Sequence, residues 1–210
     1  MNNNGNSFVG SWISLFCFFL FLSFFTDHVQ VGLFMNPVPK INGVQFALGI
    51  NASNMVNGLQ LSINNTAGEV NGLQMGFVSK ALELNGIQGN MITNDGVLIN
   101  GIQVALINTI KDEGLINGHL NGAQFGLVNS SEKVNGIQVG MFSNRGTSLN
   151  GIQASIFLNK IVSKSSDGAR VNGVQVGLVN YVDSSKKTYC LSDVLWGFSP
   201  FCNACVSLDK

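Results

Sequence analysis

Val134-Asn135-Gly136-Ile137-Gln138-Val139-Gly140-Met141-Phe142-Ser143-Asn144 decides how the chain is read. Nearly everything between an N-terminal apolar run and Tyr181 is a variant of this stretch. Its core is Asn-Gly-apolar-Gln-apolar-small-apolar. The glutamine recurs at Gln30, Gln45, Gln60, Gln74, Gln88, Gln103, Gln124, Gln138, Gln153 and Gln175. The steps are 15, 15, 14, 14, 15, 21, 14, 15 and 22 residues. A fixed period with fixed residues marks a repeat architecture.

With glutamine as position zero, positions −1, +1 and +3 are mostly aliphatic, Phe or Met, as in Leu73, Met75 and Phe77. Position −2 is glycine from the second unit on, including Gly43, Gly58, Gly72, Gly136 and Gly173, with His28 in its place in the first. Position +2 is small or short: Ala47, Ser62, Gly76, Asn90, Gly140. This alternation is the two-residue period of a half-buried strand, with one aliphatic face and one small-Gln-small face. A helix is excluded, because each unit carries one or two glycines at roughly 1 kcal/mol apiece relative to Ala.

The step lengths locate the corners. In 15-residue steps the closing Asn moves from +5 to +6, as at Asn36, Asn51, Asn94 and Asn144, so the extra residue enters just before it. The 21- and 22-residue steps are one repeat plus seven residues, placed around Lys111–Gly118 and Lys160–Arg170. Loops absorb such insertions at small free-energy cost.

Two architectures fit. In a β-solenoid of about ten coils, each 14–15 residues long, like positions stack in register. Gln and Asn then form ladders, and the aliphatic face is expected to fill the interior. In an antiparallel β-meander, turns such as Asn144-Arg145-Gly146-Thr147 join the strands. The sheet must then close as a barrel to hide its edges. The solenoid is preferred, because one polar residue at one place in every unit is what parallel stacking rewards.

Three segments follow: residues 1–26, a signal peptide or N-terminal apolar anchor; 27–184, the β-repeat domain; and 185–210, an irregular C-terminal cap or tail. Trp12 to Phe25 is apolar apart from two serines, and its 14 residues suit a secretory signal better than a membrane span of about twenty. No Lys or Arg precedes it and no small-x-small site follows. The alternative is an uncleaved anchor, with membrane association through residues 8–25. Cys17 reads as a small buried apolar residue rather than a lipoprotein acceptor.

Charged residues make up 10% of the chain, where about 25% is usual, and the formal net charge is zero. Nucleic-acid binding, which needs a basic footprint, is excluded. No catalytic set is suggested, and no cofactor. His28 and His119 read as solvated turn residues. Asp112-Glu113 and Asp167 lack the spacing of a calcium loop. Cys202 and Cys205 form a CxxC with Cys190 as a third thiol, short of the four ligands of a zinc site, and no histidine is near. In an exported chain they are expected to form one disulfide. The glutamine row (Gln45, Gln60, Gln74, Gln88, Gln103, Gln124, Gln138, Gln153, Gln175) reads as structural, satisfying itself rather than lining a binding site.

Two functions remain: a structural or adhesive surface module, meeting an unknown protein or glycan, and an outer-membrane barrel. Against the barrel, three aliphatic positions span about 13 Å, short of the roughly 25 Å apolar band required.

The units at 134–142 and 171–180 resemble the repeats of the leptospiral surface repeat-containing proteins, over about residues 29–181. The resemblance implies an exported bacterial protein of the cell surface or outer membrane. It implies no catalytic residue and no ligand. The tail from Thr188 departs from the repeat-like, Phe/Pro-rich end of that family.

Overall fold

The computed structural model describes residues 23–25, 28–163, 169–183, 188–190 and 198–207. Of these, 87% are strand and none is helical. Ten strands form one sheet: β1 (Ser23–Phe25), β2 (Val29–Gly32), β3 (Met35–Ala47), β4 (Ile50–Val104), β5 (Ile107–Ile110), β6 (His119–Ser155), β7 (Leu158–Ile161), β8 (Arg170–Val182), β9 (Thr188–Cys190) and β10 (Phe198–Ser207).

The strands β2 to β8 pair in parallel, and the register is that of the repeat. Gln30 stands beside Gln45, Gln45 beside Gln60, Gln103 beside Gln124 and Gln153 beside Gln175. Glycine likewise stands beside glycine at Gly43 and Gly58, and Asn beside Asn at Asn144 and Asn159. Each unit therefore lies on the last, one strand spacing (about 4.8 Å) along a common axis. The seven strands β2 to β8 are parallel and the sheet is not closed into a barrel, so the antiparallel barrel expected as the alternative is not the fold. The arrangement is solenoid-like.

Four bends punctuate the strands, at Leu33–Phe34, Leu48–Gly49, Ala105–Leu106 and Ile156–Phe157. Three fall between the small residue at +2 and the closing Asn, where the 15-residue units carry their extra residue, and the bend at Ala105–Leu106 begins on the +2 residue itself. The seven-residue insertions both enter after the next inward position, beyond Ile110 and Ile161, and leave the register untouched. Residues 164–168 of the second insertion, with Asp167, lie outside the described residues.

Parallel stacks expose backbone donors and acceptors at each end, a hazard that natural sheets cover. Here β1 runs antiparallel along β2, and β10 runs antiparallel along β8 with β9 beyond it. The tail departs from the repeat because it reverses direction to lie along the last edge. In the β9–β10 pair, Cys190 stands opposite Cys205.

The interior corrects one expectation. The aliphatic face does not fill it. Every glutamine from Gln45 to Gln175 is buried, at 0% exposure, whereas Ile102 and Val104 beside Gln103 are 38% and 45% exposed. The apolar core comes instead from position −4: Ile41, Val56, Val70, Leu84, Ile99, Leu120, Val134, Leu149 and Val171. Position −4 shares the parity of the glutamine, so along a strand it points the same way. Ala67, Ala81, Ile110 and Ile161 close the core from the facing side.

Candidate interaction surface

An uncharged amide can be buried cheaply only if each donor and acceptor finds a partner. Stacking supplies one. Gln60 Nε2 donates to Gln45 Oε1 at 2.8 Å, and the same bond repeats from Gln74, Gln88, Gln103, Gln124, Gln138, Gln153 and Gln175, each to the glutamine before it, at 2.6–2.9 Å. The bond length is indifferent to whether the step is 14, 15, 21 or 22 residues.

A second ladder runs through the buried closing asparagines, donating in the opposite sense. Asn94 donates to Asn108, then Asn108 to Asn129, Asn129 to Asn144, Asn144 to Asn159 and Asn159 to Asn180, at 2.8–2.9 Å. The second amide hydrogen goes to a carbonyl of the next unit, as from Asn129 to Val139 at 2.8 Å. Unit 74 has Ser79 where the others have Asn. The gap is bridged: Asn65 donates to Ser79 Oγ, which donates to Asn90, which donates to Asn94. This explains why Asn90 replaces the small residue usual at +2. A third, outward ladder links Asn42 through Asn57, Asn71, Asn85, Asn100, Asn121 and Asn135 to Asn150 at 2.7–3.0 Å. Among the described residues, the buried amide oxygens without a partner are those of Gln30, Asn36, Asn51 and Gln175, near the ladder ends.

Glycine at −2 is required by contact. At Gly122 φ is +143°, and a Cβ there would lie 2.0 Å from the carbonyl oxygen of Gly101; at Gly136 it would lie 2.0 Å from that of Gly122. Backbone rests on backbone along this column, so no side chain fits.

From Gln45 to Gln153 each glutamine both donates and accepts within the stack, so these glutamines form a spine and not a site. What reaches the surface is the set the sequence placed inside. Positions −1, +1, +3 and +4 form a wall of aliphatic, Phe and Met side chains, among them Phe46, Leu48, Met75, Phe77, Val104, Phe125, Val139, Met141 and Phe157. No Asp, Glu, Lys or Arg occurs from position −4 to +4 in any unit from Gln45 to Gln175. With some two dozen side chains each leaving roughly 60–90 Å² exposed, the wall offers on the order of 1,500–2,000 Å², where the largest patch of an ordinary monomer is about 300–600 Å². A depression of about 480 Å³ lies in it between Phe46, Leu61, Ile63, Met75 and Phe77. Phe142 and Phe157, at +4 of adjacent units, stack with ring centroids 5.8 Å apart.

Among the described residues, the charged side chains occupy the other sides. Position −5 carries Lys40, then Glu69 and Glu83, then His119, Lys133 and Arg170. The last three border a polar depression of about 290 Å³ with Asn135, Asn150 and Asn172. The first insertion is a hairpin in which Glu113 and Ile116 exchange backbone bonds at 3.0 Å. Gly114 turns it with φ +61°, and Leu115 at the tip is fully exposed. Asp112 Oδ1 accepts from Gly118 N at 2.7 Å, and Lys80 pairs with Glu113 at 3.1 Å. His28 meets the carbonyl of Asn42 in the next unit at 3.1 Å, and His119 meets Asn121 in its own unit at 2.8 Å.

Among the described residues, no group of three or more metal-capable side chains comes together, and no helix is long and apolar enough to cross a membrane. Cys17 and residues 8–22 lie outside the described residues. Compared with known proteins, the chain matches no family model, no curated protein and no solved structure.

Proposed function

We propose that the chain is a non-enzymatic, exported surface repeat protein: a β-solenoid of about ten coils that serves as a structural or adhesive module, with the apolar wall as its working surface. One observation carries this reading. The chain keeps charge off a continuous face while burying amides in its interior, the reverse of what solubility alone would select. A face of this size marks an interaction site. The resemblance of the repeats to leptospiral surface proteins and the apolar run at 12–25 support export. The partner is an apolar protein surface in preference to a glycan, because the wall lacks the polar groups that would fix sugar hydroxyls.

The test is protease or membrane-impermeant labelling of intact and permeabilised cells. Cleavage in intact cells is expected. Protection until the inner membrane is breached would overturn surface exposure.

A further inference from the structure

Building on the reading of the wall as the working surface, we infer that its occupant is a second copy of this chain, packed wall to wall as a two-fold dimer. Area is the first argument. A stable interface takes about 800 Å² from each partner, and the wall offers roughly twice that. Chemistry is the second. A two-fold interface sets a patch against itself, so like charges within it would meet. None is present between positions −4 and +4 over nine units. The third is the distribution of what remains. With both walls covered, the repeat units show water mainly their charged and Asn-lined sides, and two sheets face each other at about 10 Å, as in a sandwich. A bilayer surface fits less well. The wall carries no Trp or Tyr, and the basic residues at −5 lie away from it, whereas interfacial proteins set aromatic and cationic groups at the rim.

Gly89 allows the wall to be altered without altering the fold. It occupies the outward +1 position, and a Cβ there meets nothing within 4 Å. The full-length chain is expressed in bacterial cells with a benzophenone amino acid in place of Val139, on the wall, or Thr66, on a polar side, and irradiated. A covalent dimer is expected from position 139 and not from 66. Gly89→Lys in the Val139 probe chain is expected to cut the dimer yield about tenfold or more, because an unpaired charge would be trapped at the interface. Asn54→Lys, on a polar side, is expected to leave the yield unchanged, and protease resistance of Gly89→Lys checks that its fold is intact. Adducts to phospholipid, adducts to another protein without dimer, absence of any adduct, or a dimer indifferent to Gly89→Lys would each overturn the proposal. Cell-surface labelling tests location separately, so a dimer found inside the cell would refute export and leave this inference standing.

Discussion

Replacing Gln124 with Leu tests the glutamine spine at its middle. The two side chains are close in size, so little cavity forms. Gln124 donates to Gln103 Oε1 at 2.8 Å and accepts from Gln138 Nε2 at 2.7 Å, all three side chains at 0% exposure. The substitution strands one acceptor and one donor, each costing about 1–3 kcal/mol when buried without a partner. Burial of the more apolar leucine returns about 1–2 kcal/mol. The expected net loss is about 1–4 kcal/mol. Gln175 closes the ladder: it donates to Gln153, but its own oxygen accepts nothing among the described residues. Gln175→Leu strands one group only and is expected to cost about half as much or less. Urea unfolding of the full chain followed by far-ultraviolet dichroism reads both variants, with hydrogen exchange reporting where protection is lost. A Gln124→Leu chain as stable as the parent, or one no less stable than Gln175→Leu, would refute the reasoning.

Three further outcomes follow from the same geometry. Gly136→Val is expected to cost about 3 kcal/mol or more, since φ is +145° and the new Cβ meets a carbonyl oxygen, while Gly89→Val at an open position stays within about 0.5 kcal/mol; comparison of urea midpoints decides. Deleting Asp112–Gly118 restores a 14-residue step, and because loop closure depends only weakly on length, dichroism is expected to be unchanged and the melting temperature to shift by a few degrees at most. With Cys190 opposite Cys205 across an antiparallel pair, the exported chain is expected to carry a Cys190–Cys205 disulfide, which non-reducing peptide mapping would show as one linked pair; two free thiols there would contradict it.

The period, the parallel register and the ladders were legible because they depend on identity: the same amide at the same place in every unit has one stable use. The corners were legible from where the fifteenth residue enters. The facing was not. Ile137 and Val139 are more apolar than Gln138, and hydrophobicity alone assigns them inward. Two signals pointed the other way. Position −4 is aliphatic in every unit from Ile41 to Val171 and shares the parity of the glutamine. Position +2 is small, which narrows the lumen to the width of an extended amide. The bridging role of Asn90 was hidden, because it depends on a serine eleven residues earlier lying one coil away. The reversal of the tail was hidden too, because nothing in its sequence repeats.

The most direct test is a set of spin-label distances along the outward asparagine ladder, in a chain whose four cysteines are changed to serine. Labels pair Asn57 with Asn100, Asn121, Asn135 or Asn150. Parallel, in-register stacking predicts separations that rise linearly, by about 4.8 Å per repeat, from roughly 14 Å to roughly 29 Å. The 21-residue step between Asn100 and Asn121 should add no more than a 14-residue step does. Distances that alternate between short and long, or that fall again toward Asn150, would contradict the stack.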